Sequence, residues 1–326
     1  MLISGSGLFI VIAALAFDAL IGDPDWLWRR IGHPVSLIGA LIDLLDRKFN
    51  HDNHSPEQRK SEGINSTAIL VVIAIAVGAL IQFVVQTLPI GNVILALIAS
   101  IFIAQRSLYQ HVADVRAAFA EGGLPAAREA VSMIVGRDPE KLDEAGVCRA
   151  AIESCAENFA DGVVAPVFWY ALFGFPGLLL YKTANTMDSM IGHLDEKHRD
   201  FGLIAARLDD LLNLIPARLA AVQLVFATLF LPGGHPFKAW LTMWRDHGHH
   251  RSPNSGWPEA AMAGGLDLAL AGPRQYPGYV AQEKWIGDGR ARAGIGDIHR
   301  ALFVMAVACL LNFGMVVLCL TLEYLR

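Results

Sequence analysis

Charge is what this chain has least of. Only 17% of its 326 residues are Asp, Glu, Lys or Arg, against 54% hydrophobic, where a soluble domain averages about 25% charged and about 45–50% apolar. The length alone would allow two soluble domains. The apolar residues exclude that, because they are gathered in long blocks between charged loops that contain Gly and Pro. Basic charge is short in particular, with 26 Lys+Arg against 31 Asp+Glu and a net charge of −5. No basic stripe is present, so nucleic acid is not an expected partner. Cysteine is scarcer still: four residues make no disulfide scaffold. Cys309 and Cys319 sit inside an apolar block, and Cys148 and Cys155 lack the paired spacing of a structural zinc site. A P-loop, a dinucleotide-binding glycine fingerprint and a nucleophile elbow are also missing. An ATP site in this chain would therefore be of another kind. No strand-rich region or internal repeat stands out. These absences leave a membrane protein with substantial polar loops.

A spanning helix takes roughly 20 mainly apolar residues. Four blocks read as spans: 4–21, with Asp18 near its end; 67–88, free of charge; 90–104; and 301–322. Pro89-Ile90-Gly91-Asn92 joins the second and third as a helical hairpin. Block 4–21 has no basic residue before it and no small-x-small cleavage pattern, so it reads as a retained helix. Two further blocks are irregular. Residues 163–181 carry Pro166, Gly174, Pro176 and Gly177, and residues 212–231 carry Pro216 and Arg218. In lipid, broken backbone survives only where protein buries it or a wet cavity adjoins it. These two blocks are either full spans or broken, re-entrant elements.

The expected fold is thus an all-α polytopic membrane protein with four clear to six transmembrane helices, forming a single integral membrane domain over 1–326. Its polar loops, 23–66, 105–162, 182–211 and 232–300, hold six, six, four and eight Lys/Arg respectively. The positive-inside rule places the first, second and last in the cytoplasm. Loop 182–211 lies outside if all six blocks span, and inside if both irregular blocks are re-entrant. Within the loops the period is helical. Leu37, Ile38, Leu41, Leu44 and Leu45 form one apolar stripe, with Asp43, Asp46, Arg47 and Lys48 on other faces. That pattern fits a helix lying on the membrane or against the bundle. Stretch 108–161 reads as helices broken around Gly122-Gly123 and at Asp138-Pro139. Nine glycines in 256–296 predict irregular loop.

Four stretches could carry chemistry. In 153–162, Glu-Ser-Cys-Ala-Glu-Asn-Phe-Ala-Asp-Gly, helical spacing puts Glu153, Glu157 and Asp161 on one face beside Asn158. Like charges so placed repel by roughly 0.2–0.5 kcal/mol per pair, and a hard cation such as Mg²⁺ would offset that. A solvated acidic face is the alternative. Entry straight into an uncharged block favours use, because acids at a membrane are unfavourable otherwise. In the second stretch, Lys182, Asn185 and Asp188 recur three apart, which suits phosphate and metal handling. A snorkelling Lys with polar caps is the alternative there. Arg207, Asp209, Asp210 and Arg218 nearby could instead form a structural ion-pair network. The third stretch runs from His250 to Glu259 and is rich in Pro and Gly, so Arg251, Asn254 and Glu259 are expected on a shaped loop. Arg gives bidentate contacts to phosphate or carboxylate, and Trp257 offers a flat face to a large ligand or sits in an aromatic belt. His247, His249 and His250 are spaced wrongly for one tetrahedral ion. The fourth stretch comprises Asp18, Gly22-Asp23-Pro24 and Gly32-His33-Pro34-Val35, whose prolines hold Asp23 and His33 extended. A plain turn is the alternative.

Together these stretches resemble the CobD/CbiB family of cobalamin biosynthesis. The likeness rests on Asp18-Ala-Leu-Ile-Gly-Asp-Pro24, His33-Pro-Val-Ser-Leu-Ile-Gly39, the 153–162 motif, Ala184-Asn-Thr-Met-Asp-Ser-Met-Ile-Gly192 and Ala206-Arg-Leu-Asp-Asp210. The long motif His250-Arg-Ser-Pro-Asn-Ser-Gly-Trp-Pro-Glu-Ala-Ala-Met-Ala-Gly264 completes it. The motifs occur in order over nearly the whole chain. Ser36 departs from the basic residue expected after His-Pro-Val. The resemblance implies an adenosylcobinamide-phosphate synthase of the inner membrane with cytoplasmic active loops. Such an enzyme joins adenosylcobyric acid to (R)-1-aminopropan-2-ol phosphate, or a related amino alcohol, with ATP as co-substrate. Its partners would be the corrinoid, the amino alcohol phosphate, the lipid bilayer and other membrane enzymes of cobalamin assembly.

An unactivated carboxylate needs activation before it forms an amide, and phosphoryl transfer is mainly positioning and charge neutralisation. By residue type, Mg²⁺ falls to some of Glu153, Glu157, Asp161 and Asp188, and the phosphates to Lys182 and Arg251. Asn158, Asn185, Asn254 and Trp257 would serve substrate or ATP binding. His33, His250 or Glu259 would be the base for the attacking amine. Because ATP is cytoplasmic, 182–188 must reach that side, which favours four full spans with two irregular ones. Two other classes fit parts of the pattern. A transporter would show pseudo-repeat symmetry between the halves, and none is visible. In a non-catalytic AmpE-like sensor the loop motifs would degrade, and here all are intact.

Overall fold

A computed structural model describes residues 5–135, 139–272, 274–276, 279–281 and 284–325 of the chain. Among them the helices are α1 (Gly5–Leu20), α2 (Asp25–Ile31), α3 (Pro34–Phe49), α4 (Pro56–Gln86), α5 (Gly91–Ser100), α6 (Gln105–Ser132), α7 (Glu144–Phe159), α8 (Ala165–Ile191), α9 (Leu203–Ala227), α10 (Pro236–Asp246), α11 (Gly256–Leu266) and α12 (Ile295–Tyr324). A π turn, Ala160–Val164, links α7 to α8. Among the described residues, strand forms two antiparallel pairs, β1 (Leu270–Ala271) with β4 (Trp285–Ile286) and β2 (Arg274–Tyr276) with β3 (Tyr279–Ala281). The chain is therefore all-α, and five helical stretches are long and apolar enough to cross a membrane: Pro56–Gln86, Gly91–Ser132, Glu144–Ile191, Leu203–Phe230 and Ile295–Tyr324. It is a multi-pass membrane protein.

Among the described residues α1, Gly5–Leu20, is a shorter apolar helix outside the five. Block 90–104 falls within the membrane-length stretch Gly91–Ser132, where α5 covers Gly91–Ser100 and α6 follows from Gln105. The two irregular blocks behave differently from each other. Helix α8 is broken at Gly174 (φ 66°, ψ −155°), where the Gln82 side chain accepts the Phe175 N–H at 2.8 Å. Helix α9 runs through Pro216 as one helix. Proline supplies no N–H to the carbonyl four residues back, but Trp169 Nε1 donates to that Leu212 oxygen at 3.0 Å. The vacated acceptor is filled, as an apolar medium demands.

The chain packs as two compact units: 1–104, 165–213 and 316–326 in the first, 105–164 and 214–315 in the second. The first centres on Ile42, Leu70, Tyr181, Ala184, Met187, Phe201 and Ala205, with Ile38, Leu41 and Phe49 packed against them. The stripe expected on α3 is thus present but rotated, leaving Leu37 and Leu44 exposed. In the second unit α7 packs on α6 and α11, and α11 on α10. The predicted break at Gly122-Gly123 is there, with Gly123 at φ 66° inside α6; Asp138, where the next break was expected, lies outside the described residues. Irregular loop was expected over 256–296, yet 256–266 is helix α11, buried at every residue. Pro258 falls in its first turn, where no N–H is needed. At Gly264 a Cβ would strike the Lys238 and Ala239 backbone. Those residues permit helix packing rather than prevent helix.

Candidate active site

In the second unit, the N-cap Asp143 starts α7 by accepting the Gly146 N–H at 2.7 Å, and α7 then delivers the acids in order. Glu153 is 5% exposed, and its Oε1 accepts the Ala271 N–H at 2.8 Å. One turn on, Glu157 is half-buried and accepts Ser255 Oγ at 2.8 Å. Asn158 donates to the Ser154 carbonyl and hydroxyl, both at 3.0 Å, and Ser154 donates to the Ile134 carbonyl at 2.8 Å. Asp161 falls in the π turn that follows α7, while Glu153 and Glu157 both lie on α7, four residues apart.

The second half of this cluster is the segment 250–259. His250 Nδ1 accepts the Ser252 N–H at 3.0 Å, while Ser252 Oγ accepts the N–H groups of Asn254 and Ser255 at 3.1 and 3.3 Å. This turn fixes Asn254 and aims Ser255 at Glu157. Because Nδ1 is an acceptor, the hydrogen-bond pattern assigns the neutral ring's proton to Nε2, which stands 3.7 Å from Glu259 Oε1. Glu259 is 1% exposed and belongs to α11, not to the loop expected from the sequence. Arg251 is exposed on the loop. Asn254 accepts Arg218 Nη1 at 3.3 Å, and the same guanidinium lies 4.6 Å from the Trp257 ring centroid. His247 stacks on that indole at 4.0 Å. Trp257, 6% exposed, is therefore packed, and the open platform expected of it is absent.

A band of ion pairs clamps the glycine-rich segment after α11. Lys238 reaches Asp267 at 2.6 Å and Asp288 at 2.7 Å, and Arg245 reaches Asp288 at 2.9 Å and Asp246 at 2.7 Å. Asp246 also accepts the Gly287 N–H at 2.8 Å. Hydrogen bonds from Lys238, then Arg245, pull the Asp288 carboxyl down to about 2. The same contact lowers Asp267.

The remaining predicted residues belong to the first unit. Asn185 Nδ2 donates to Asp209 Oδ1 at 3.4 Å, and Asn213 Nδ2 to Asp209 Oδ2 at 3.0 Å. Asn213 accepts Tyr181 OH at 3.0 Å, and Asp188 lies near enough to act on Asp209 electrostatically. Asp209 is thus held by amides, and Arg207 acts on Asp210. Lys182 and Asp188 are half-buried on the same helix. His33 caps α3, its Nδ1 accepting the Val35 N–H at 3.2 Å, with Nε2 3.6 Å from Asp23. Its Nδ1 is taken up by the cap, and Nε2 faces the Asp23 carboxylate.

The fold thus gathers Glu153, Glu157, Asn158, His250, Asn254 and Glu259 in one unit and Lys182, Asn185 and Asp188 in the other. Sequence reasoning passed over Ser255 as a partner and read Asp209 as structural, and it missed Tyr181 and Asn213 altogether. Ser255 stood inside a motif already singled out, but Tyr181 and Asn213 left no local signal. No group of three or more His, Cys, Asp or Glu that could hold a metal ion occurs among the described residues. A protein-only Mg²⁺ cage does not fit. An ion that arrives on phosphates and keeps its waters takes only one or two carboxylates, which Glu157 or Asp188 can supply.

A family model described as CobD/Cbib protein matches residues 11–305. The chain is 50% identical over 312 residues to a protein named cobalamin biosynthesis protein CobD from Sinorhizobium sp, covering 95% of this chain and 97% of that one. Proteins of the same name from Rhizobium meliloti (strain 1021) and Brucella suis biovar 1 (strain 1330) are 48% and 45% identical. These two alignments cover 93% and 95% of this chain, and 93% and 96% of the relatives. No solved structure matches.

Proposed function

The chain belongs to the CobD/CbiB family of cobalamin biosynthesis proteins, and from that premise we propose that it is an ATP-dependent amide ligase. It joins the propionate carboxylate of adenosylcobyric acid to the amine of (R)-1-aminopropan-2-ol phosphate or a related amino alcohol. The observation that supports this best is the Ser255–Glu157 hydrogen bond of 2.8 Å. It ties the two most distinctive polar motifs of the chain together beside the His250–Glu259 contact.

In this reading the corrinoid carboxylate attacks the γ-phosphorus of ATP, giving an acyl phosphate and ADP. The amine then attacks the acyl carbon, the carbon–oxygen bond to phosphate breaks, and inorganic phosphate leaves. The ammonium nitrogen loses two protons: one before attack, which frees its lone pair, and one as the amide forms, which leaves on the inorganic phosphate. Glu259 takes the first, with His250 Nε2 3.7 Å away beside the carboxylate. Exposed Arg251 meets phosphate oxygens, and Asn254, fixed by Arg218, orients them. In the first unit Lys182, Asn185 and Asp188 make a second set suited to phosphate. Mg²⁺ arriving on the nucleotide would supply charge neutralisation, and Glu157 would be the carboxylate of this unit to hold it. Since ATP is cytoplasmic, these loops face the cytoplasm from the inner membrane.

The test is conversion of adenosylcobyric acid by purified protein with ATP, Mg²⁺ and the amino alcohol phosphate, read by mass. One amide formed per ADP released is the expected result. No amide with any amino alcohol, phosphorylated or free, overturns the assignment.

A further inference from the structure

Helix α10 presents an apolar face to the outside of its unit. Phe237, Trp240, Leu241 and Trp244 recur at i, i+3, i+4 and i+7 and are 74, 40, 51 and 54% exposed. On the opposite side Ala239, Thr242, Met243 and Asp246 are buried where α10 meets α11. The exposed stripe is on the order of 400 Å², the size at which a patch marks an interaction surface. It plays no part in the chemistry derived above.

We propose that α10 is an in-plane membrane anchor. It lies in the headgroup region of the bilayer that the chain spans, with its stripe toward the acyl chains. Three observations select lipid over a protein partner. The first is continuity: the membrane-crossing stretch Leu203–Phe230 ends with Phe226, Leu229 and Phe230 at 53, 59 and 60% exposed. A short turn then leads straight into α10, and Gly234 packs so closely on the Thr228 carbonyl that a Cβ would strike it. The stripe therefore begins at the end of a lipid-facing surface, not at a distance from it. The second is composition. Two Trp, a Phe and a Leu match the side chains that settle at the membrane–water boundary. The third is polarity at the margins. Lys238 and Arg245 flank the stripe and pair with Asp267, Asp288 and Asp246, giving the charged border an interfacial helix requires. The anchor would hold α11, and so Glu259, at the membrane surface; it stands whether or not the chain is a ligase.

The test uses the full chain in nanodiscs of phosphatidylcholine and phosphatidylglycerol, one chain per disc, in a Cys309→Ser, Cys319→Ser background. An environment-sensitive fluorophore is attached at Leu241→Cys and separately at Phe237→Cys, with Asn53→Cys in a polar loop as the water-exposed reference. Both stripe sites should emit to the blue of the reference. Lipids with a quencher near the glycerol end should quench them at least about twofold more than lipids with it near the chain terminus. Emission like that of Asn53→Cys at both sites overturns the proposal. So does a blue shift that lipid quenchers leave untouched, or one seen only with two chains per disc, since either means a protein covers the face.

Discussion

The two acids of α7 make opposite predictions, although one helical turn separates them. Glu153 is buried and holds the Ala271 N–H at 2.8 Å, so its carboxylate ties α7 to β1. A hydrogen bond to a charged group contributes about 1.5–3 kcal/mol, and truncation in a packed site adds a cavity. Glu153→Ala should therefore destabilise the protein by about 3 kcal/mol. Glu153→Gln keeps an oxygen for the same N–H and should lose only about 1 kcal/mol. Glu157 is half-buried, and its partner Ser255 can donate equally well to an amide oxygen, so Glu157→Gln should change stability by less than about 1 kcal/mol. Activity reverses the order. Glu153→Gln should turn over within about tenfold of the parent, equivalent to about 1.4 kcal/mol. Glu157→Gln removes the carboxylate assigned to the nucleotide-bound cation, and should lower turnover at least about a hundredfold. The measurements are thermal unfolding in detergent and single-turnover amide formation on the same preparations. A Glu157→Gln protein with near-parental rate would refute the reasoning, as would a fully stable Glu153→Gln protein with no activity.

Acid should loosen the first unit through Asp46. Burial pushes this carboxyl up, but Lys197 and Asn50 hydrogen bonds and the charges of Lys197 and His198 outweigh it, leaving its pKa below 3.8. Its contribution is complete above the unfolded value of about 3.9 and is lost as pH falls through the lower folded one. Asp46→Asn should therefore show a shallower fall in unfolding temperature between neutral pH and the acid limb; superimposable curves would contradict it. Gly174→Ala should reduce the yield of monodisperse protein, because φ 66°, ψ −155° is glycine territory and a Cβ would strike the Gln82 amide. The expected penalty is about 3 kcal/mol, read by size exclusion and thermal unfolding, and parental behaviour would remove the break from the fold's requirements.

What the sequence made legible follows from the range of its signals. Apolar blocks and the helical period are local, so the all-α membrane class, the helix over Pro34–Phe49 and the breaks at Gly123 and Gly174 could be read directly. Span boundaries were less legible. Hydropathy cannot say that α1 stops at Leu20, nor that α5 ends at Ser100 before the helix of 105–132 begins. Helix α11 was misread because Gly and Pro were weighed as breakers. In the fold Pro258 sits where a helix tolerates it, and the glycines sit where α10 approaches. Tyr181 and Asn213 were invisible because a contact across 32 residues leaves no trace in spacing.

The π turn at Ala160–Val164 shows how the local and the distant combine. The spacing of Glu153, Glu157 and Asp161 is that of a regular helix, and read alone it makes a three-carboxylate ledge. A regular helix would also hold three like charges on one face at the entry to an apolar stretch, with repulsion and desolvation both unfavourable. The structure relieves this twice. Ala271 and Ser255 each bring a donor to one acid, and the third falls in the π turn. Neither donor is near in sequence, so the relief arrives only when the 250–271 segment folds back on α7. Those donors also leave the acids unlike one another, one buried against backbone and one half-open beside a hydroxyl. Evenly spaced acids thereby end in unlike surroundings: Glu153 against backbone, Glu157 beside a hydroxyl, and Asp161 in the π turn.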